Sequence, residues 1–117
     1  MKARLITPLE VALIDRLIDA AVRPNDLAEA QVIEVDQWGS IEFFRDAAYP
    51  HKGAYALPRK GAYKDSDGVP VLVTLCVDDG DKLSELAIYK LDDSPLLAPL
   101  DPARIVLQPL GPGPIIL

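Results

Sequence analysis

Apolar residues recur at three- and four-residue spacing at Leu9, Leu13, Ile14, Leu17, Ile18 and Ala21, the period of a helix with one buried stripe. Glu10, Asp15, Arg16 and Asp19 fill most of the remaining face. The start is marked by Thr7-Pro8-Leu9-Glu10, a capping box with Thr7 as N-cap, proline at the first helical position and glutamate at the third. Ile6 and Val11 stand where a hydrophobic staple would place them. Arg23-Pro24 ends the pattern, because proline pushes its predecessor out of helical geometry. The spacing predicts an amphipathic helix from residue 8 to about 22, packed on something flat.

Asn25-Asp26 could cap one short turn through Ala30, after which the period falls to two. Ile33 and Val35 alternate with Glu34 and Asp36, with Val32 as an extension, which predicts a half-buried strand. Asp36-Gln37-Trp38-Gly39 is a turn, and Ile41–Phe44 is the returning strand. A short strand is expected around residues 62–64. The run Val69–Val77 is dense in β-branched residues and bounded by Asp65-Ser66-Asp67-Gly68 and Asp78-Asp79-Gly80-Asp81, so it predicts a strand crossing the whole sheet. Leu83–Leu91 returns antiparallel to it, and Pro70 marks an edge or a bulge. Six of the eleven prolines lie in the last 23 residues, where Arg104–Gln108 could add one short strand. The expected fold is α+β: one N-terminal helix on an antiparallel sheet of about five strands, mostly a meander, with a Pro-rich C-terminal tail. Residues 1–97 form the domain, and 98–117 are an extension packed on it or on a partner.

Composition narrows the class. The chain has 117 residues, 50% of them hydrophobic, and a formal net charge of −6 from 18 acids and 12 bases. A chain of this length buries about two-thirds of its unfolded surface, so it needs no covalent staples. Cys76 is the only cysteine, which excludes a disulfide framework. Glu10, Asp15, Arg16 and Asp19 interrupt the first apolar stretch, so it offers no signal-peptide core. No run approaches the roughly 18 apolar residues of a membrane span. A lone thiol fits a reducing compartment, and cytoplasm is the expected location.

Most catalytic chemistries lack their residues. A Ser- or Cys-based site needs a base, and His51 is the only histidine. Cys76 sits near the end of the most hydrophobic strand, where a thiol acts as a small buried hydrophobe. One Cys and one His cannot build a zinc site. Asp65-x-Asp67-Gly68 resembles the opening of a calcium loop, but its glycine comes two residues early and the twelfth position is Cys76 rather than glutamate. If 69–77 pairs with 82–91, Asp65, Asp67, Asp92 and Asp93 gather at one end of the hairpin, where they would bind a cation, meet a basic partner or turn apart into solvent. Asp78, Asp79 and Asp81 gather at the other. No cofactor is indicated.

Charge is also segregated. Between residues 45 and 64, Arg45, Lys52, Arg59, Lys60 and Lys64 face only Asp46, so this segment is about +4 and the rest near −10. These bases interleave with Tyr49, Tyr55 and Tyr63, the mix that stacks bases and contacts phosphates. Paired with acidic neighbours, the same residues would serve the fold instead. Trp38, in a polar turn, either folds back on the sheet or is displayed to a partner. Ile115, Ile116 and Leu117 end the chain in an apolar trio that packs on the domain, on another subunit or in a partner's groove.

The order of motifs resembles a small, functionally uncharacterised bacterial domain family. Its marks here are Arg4 with Thr7 and Glu10; Asp36 leading to Gly39-Ser40-Ile41; Asp65-x-Asp67-Gly68-Val69; Glu85-Leu86-x-Ile88-Tyr89-Lys90; and Asp92-x-Ser94-Pro95-Leu96. The match spans about residues 4–97. Ala87, where the family pattern has an acid, and Gln37-Trp38, where it has smaller residues, are departures. The resemblance implies the fold and no mechanism.

Three functions follow. The leading one is a noncatalytic protein-interaction or regulatory module, including the immunity-type form in which acidic loops block a basic partner. The interaction residues are Trp38, Tyr49, His51, Tyr55, Arg59, Lys60, Ile115, Ile116 and Leu117, with a protein partner or a second copy of the chain on the other side. The alternative is a small metal-binding protein or enzyme using Asp65, Asp67, Asp92 and Asp93. The third is a nucleic-acid binder using residues 45–64, disfavoured by the net charge.

Overall fold

Thr7 opens the helix as its spacing predicts. In the computed structural model, which describes residues 2–18, 23–109 and 113–117, Thr7 Oγ1 accepts from Glu10 N at 3.2 Å and Thr7 N donates to Glu10 Oε1 at 2.9 Å. Glu10 also takes both terminal nitrogens of Arg4, at 2.9 and 2.7 Å, so the cap ties the helix to the strand before it. The helix α1 spans Pro8–Leu17, and Ile18 is its C-cap in an extended conformation (φ −85°, ψ 144°). This is shorter than the expected 8–22. Ile18 reaches the core from extended backbone rather than from a further helical turn, a tertiary outcome that local periodicity does not show. The expected continuation, including Ala21, falls on residues 19–22, outside the described ones. Leu13, Ile14 and Leu17 form the buried stripe, while Leu9 is exposed.

Among the described residues the sheet has seven strands, not five: β1 Arg4–Leu5, β2 Gln31–Glu34, β3 Ile41–Phe43, β4 Tyr55–Lys64, β5 Pro70–Val77, β6 Leu83–Lys90 and β7 Val106–Leu107. Their order is β1-β2-β3-β6-β5-β4-β7, and every pairing is antiparallel. Two runs of three sequential strands are thus joined where β3 meets β6, and the chain crosses the sheet between β3 and β4. β1 and β7 are two-residue edge strands, too short to carry an alternation. β4 is longer than its sequence suggests because it absorbs a bulge: register shifts between Ala56 and Lys60 against β5. Pro58 lies in that interval, where no ladder donor is required. Pro70 is the first residue of β5, the other position that tolerates proline.

Helix α1 covers one face of the sheet. The core beneath it holds Val32, Ile41, Tyr63, Val71, Val73, Leu75, Leu86 and Ile88 from the strands, and Ile105 from the turn before β7. Gly61 on β4 makes this packing possible: a Cβ there would collide with Ile105 Cγ2 and stand 3.0 Å from Leu17 Cδ2. Arg16 Nη2 fastens the same contact by donating to Ile105 O at 3.0 Å. The segment after residue 97 therefore contributes to both core and sheet. None of the helices among the described residues is long and apolar enough to cross a membrane.

Candidate functional site

The acidic turns meet bases supplied by the fold. Lys90 is 0% exposed, and its Nζ donates to Asp65 Oδ2 at 2.9 Å, Asp67 Oδ2 at 2.8 Å and Pro95 O at 3.2 Å. Asp65 further accepts from the backbone N–H groups of Leu97, Ala98 and Ser66 at 2.8, 3.1 and 2.8 Å. Burial pushes the Asp65 carboxyl up, but Leu97, Lys90, Ser66 and Ala98 more than offset it and hold it well below the usual carboxylate range. Burial likewise opposes the charge on Lys90, and Asp67 and Asp65 overcome it. This cluster latches residues 95–98 onto the end of β6.

The four carboxylates expected to gather do not form one group. Asp65 and Asp67 share the ammonium of Lys90, which occupies the place a bound cation would take. Asp92 accepts instead from Ser94 N and Ser94 Oγ at 3.1 and 2.6 Å, and Asp93 is an exposed turn residue with φ 67°. Among the described residues, no group of three or more His, Cys, Asp or Glu side chains is placed to hold a metal ion.

At the other end of the β5–β6 hairpin, the basic segment folds onto the second acidic turn. Buried Asp78 accepts from Arg45 Nη2 at 3.2 Å, Tyr49 Oη at 2.8 Å, and the N–H groups of Gly80 and Lys82 at 2.8 and 3.1 Å. Arg45 Nη2 also donates to Leu83 O, and its guanidinium lies 4.8 Å from the Tyr49 ring centroid. Burial pushes Asp78 up, and Tyr49, Lys82, Gly80 and Arg45 bring it down to about 2. His51 Nδ1 lies 2.9 Å from Asp79 Oδ1, with its ring seated over Gly80, where any Cβ would strike it. One of the segment's five bases, Arg45, thus meets a carboxylate of the acidic turn, with Tyr49 and His51 folded onto the same turn. Tyr63, the third tyrosine of the segment, is core, so the run is not a continuous stacking platform. Tyr55, 60% exposed, and exposed Arg59 remain outside both clusters. Cys76 is buried, and burial followed by Glu85 pushes its thiol up, away from nucleophilic character.

Trp38 folds back on the sheet. Its Nε1 donates to Ser94 O at 2.8 Å, and its ring meets Tyr89 edge-on with centroids 5.2 Å apart. The C-terminal trio is held by Gln108, whose side-chain amide donates to Ile116 O at 2.9 Å and accepts from Ile116 N at 2.7 Å. Ile116 and Leu117 stay 55% and 43% exposed beside this clamp.

With these clusters closed, the sheet face opposite α1 has no helix over it among the described residues. Strand alternation and register place its residues in rows. Glu42 on β3 stands opposite Glu85 on β6, which is opposite Cys76 on β5. The next row is Ala87, Thr74 and Lys60, and the next is Tyr89, Leu72, Ala62 and Val106. Ala62 and Cys76 are buried, Leu72, Thr74 and Ala87 half-buried, and Tyr89 and Val106 exposed. Like charges directly opposite each other on adjacent strands are unfavourable. Burial first, then Glu42 and Asp36, push the Glu85 carboxyl up. Among the described residues, Glu42, Glu85, Lys60 and Lys64 have no ion-pair partner. Of this face the interaction residues expected from the sequence include only Lys60 and Trp38. The available signal was Val71–Val77, which is apolar on both strand faces although one helix can cover only one.

Comparison with curated proteins and with solved structures finds no match. A family model does match, over residues 3–99, close to the span of the motif resemblance. Every motif carrying that resemblance contributes to a structural contact described above: Arg4 and Glu10 in the helix cap, Asp65, Asp67 and Lys90 in the ion cluster, and Ser94 under Trp38. In the turn before β3, Asp36 Oδ1 accepts from Trp38 N and Ser40 N. Ser40 Oγ bonds both backbone groups of Ile88. With 97 of its residues covered by the model, the chain belongs to the family described as Domain of unknown function (DUF6984).

Proposed function

We propose that this protein is a noncatalytic protein-interaction module whose docking surface is the open sheet face around Leu72, Thr74, Ala87 and Tyr89. One observation carries the reading: Leu72, Ala87 and Tyr89 stand together on the outer side of the central strands, and among the described residues α1 and Ile105 cover only the inner side. The helix-bearing face satisfies its charges internally, whereas the open face presents apolar side chains between uncompensated acids and lysines. That is the composition of an interface core with a charged rim. The reactive candidates support the same conclusion, because the sole thiol is buried and the sole imidazole is engaged by Asp79 in a turn.

The test is site-specific photo-crosslinking in the native cell. A crosslinking aromatic at Tyr89 or at Leu72 is expected to give protein adducts, and the same group at Ala12, on the exposed side of α1, is not. Absence of adducts from positions 72 and 89, or equal yields from position 12, would overturn the reading.

A further inference from the structure

The open face carries its own complement. Its acids, Glu42 and Glu85, lie on β3 and β6, on one side of the face. Its bases, Lys60 and Lys64, project from β4 on the other side, with the apolar residues of β5 and β6 between them. The alternation that places Lys60 beside Thr74 and Ala62 beside Leu72 puts both lysines on the outward side with Glu85 and Ala87. A basic partner would answer the acids but confront the lysines. An acidic partner would do the reverse. A partner with acids and bases in the same two places answers both.

We infer that the partner for this face is a second copy of the chain, packed face to face about a two-fold axis lying in the face and running roughly along the strands. Such an axis exchanges the two sides of the face, so β4 of each copy lies over β3 and β6 of the other. Lys60 of each copy then reaches the Glu42–Glu85 pair of its mate, and each contact occurs twice, as an isologous interface requires. Leu72, Thr74, Ala87 and Tyr89 meet across the middle. Lys60 sits one row along the strands from the two glutamates. The crossing of about 30° usual for stacked sheets, together with the length of a lysine side chain, spans that offset.

The size of the face sets the strength. Four strands at about 4.8 Å spacing and eight residues at about 3.3 Å give roughly 500 Å² in plan. A standard interface buries about 800 Å² per partner, so the dimer is a reversible, concentration-dependent one unless the clamped C-terminal trio beside Lys60 joins the contact. That trio lies at the β4–β7 edge of the same face: Gln108, whose N–H donates to Lys60 O at 2.9 Å, holds Ile116 there.

This inference rests on the docking reading above, and sedimentation of the full-length chain separates the two. Mass is expected to rise from one chain towards two as concentration rises through the micromolar range. Lys60→Glu alone and Glu85→Lys alone each place like charges together twice, and each is expected to weaken the dimer by about tenfold or more. Mixing the two variants sets the new carboxylate at position 60 against the new ammonium at position 85 in one contact. The other contact keeps the natural pair, so a mixed dimer returns at the wild-type concentration. Circular dichroism confirms that both variants are folded; should Glu85→Lys fail, Glu42→Lys takes its place, and should Lys60→Glu fail, Lys60→Asp does. A chain monomeric throughout, a dimer indifferent to both swaps, or a mixture that does not reassociate would overturn the second-copy proposal. If the chain is monomeric while position 89 still crosslinks to another protein, the docking reading survives without it. No adducts at all from this face would overturn both.

Discussion

On the helix-bearing side, a lysine with no exposed surface is held by two carboxylates at 2.9 and 2.8 Å and by a carbonyl. Across the same sheet, Glu42 stands opposite Glu85, and among the described residues neither has an ion partner within 4 Å. The two sites share strand β6, and its alternation sends Lys90 inward and Glu85 outward. An ion inside must be met by the chain itself, because an unmatched buried charge costs more than a domain of this size can carry. A like-charge pair on a half-exposed face costs roughly 0.2–1 kcal/mol, which a fold tolerates and a partner can relieve. The contrast separates residues that serve the fold from residues available for recognition.

The sharpest way to break the contrast is Asp65→Ala. It removes an acceptor shared by Lys90, Leu97, Ala98 and Ser66 and leaves a buried ammonium with one carboxylate, the part-exposed Asp67, and the Pro95 carbonyl. Denaturant unfolding is expected to show a loss of about 3–5 kcal/mol, the usual cost of deleting one member of a buried pair. A loss below about 1 kcal/mol would mean that the cluster opens to water and that the two faces do not differ in kind.

Acid is the second probe. Asp78 has its folded pKa lowered from 3.8 to about 2, and Asp65 is lowered further. A depressed carboxylate contributes stability that is fully present above its unfolded value and is lost as pH falls through its folded one. Unfolding free energy should therefore hold from neutral pH to about 4 and fall progressively below it. The Asp78→Asn variant should start lower and fall less steeply over that range. A parallel fall in both would show that Asp78 does not carry the transition.

A subtler test lies in the core. Tyr63 is 2% exposed, and its hydroxyl has no hydrogen-bond partner among the described residues. Burial, aided by Asp65, pushes that phenol up to about 12. An unsatisfied buried hydroxyl is a cost, so Tyr63→Phe is expected to leave stability unchanged or raise it by up to about 1 kcal/mol. A loss of more than about 1 kcal/mol would place a partner on that hydroxyl.

How much of this was legible depended on the range of the interaction. The start of α1 could be read because Thr7 and Glu10 are three residues apart. Its end could not, because Ile18 is buried by strands far away in sequence. The β5–β6 hairpin was plain from its β-branched run and flanking Asp-Gly turns, whereas β1 and β7 are two residues each and owe their pairing to neighbours already in place. Asp65 and Asp67 were visible as a cluster, but their cation was not. Lys90 belongs to a different strand, and only the register of β6 against β5 brings it to the turn. Charge segregation was equally visible and equally misleading, since Arg45, Tyr49 and His51 fold back onto Asp78 and Asp79. The open face was least legible, because a run apolar on both sides does not say which side a helix will cover.

The smallest expected effect tests the open face most directly. Glu85 has its folded pKa raised, first by burial and then by Glu42 and Asp36, the reverse of Asp65 and Asp78. Its charge therefore destabilises the monomer at neutral pH, and that penalty fades as pH falls through the raised value. Glu85→Gln should stabilise the monomer by roughly 0.2–1 kcal/mol at neutral pH. The gain should shrink towards zero near pH ~4, before the internal carboxylates begin to fail. If the same substitution also weakens self-association, one carboxylate costs the monomer stability and strengthens the dimer. A Glu85→Gln chain less stable than wild type at neutral pH would show instead that Glu85 has a cation of its own, and the contrast between the two faces would collapse.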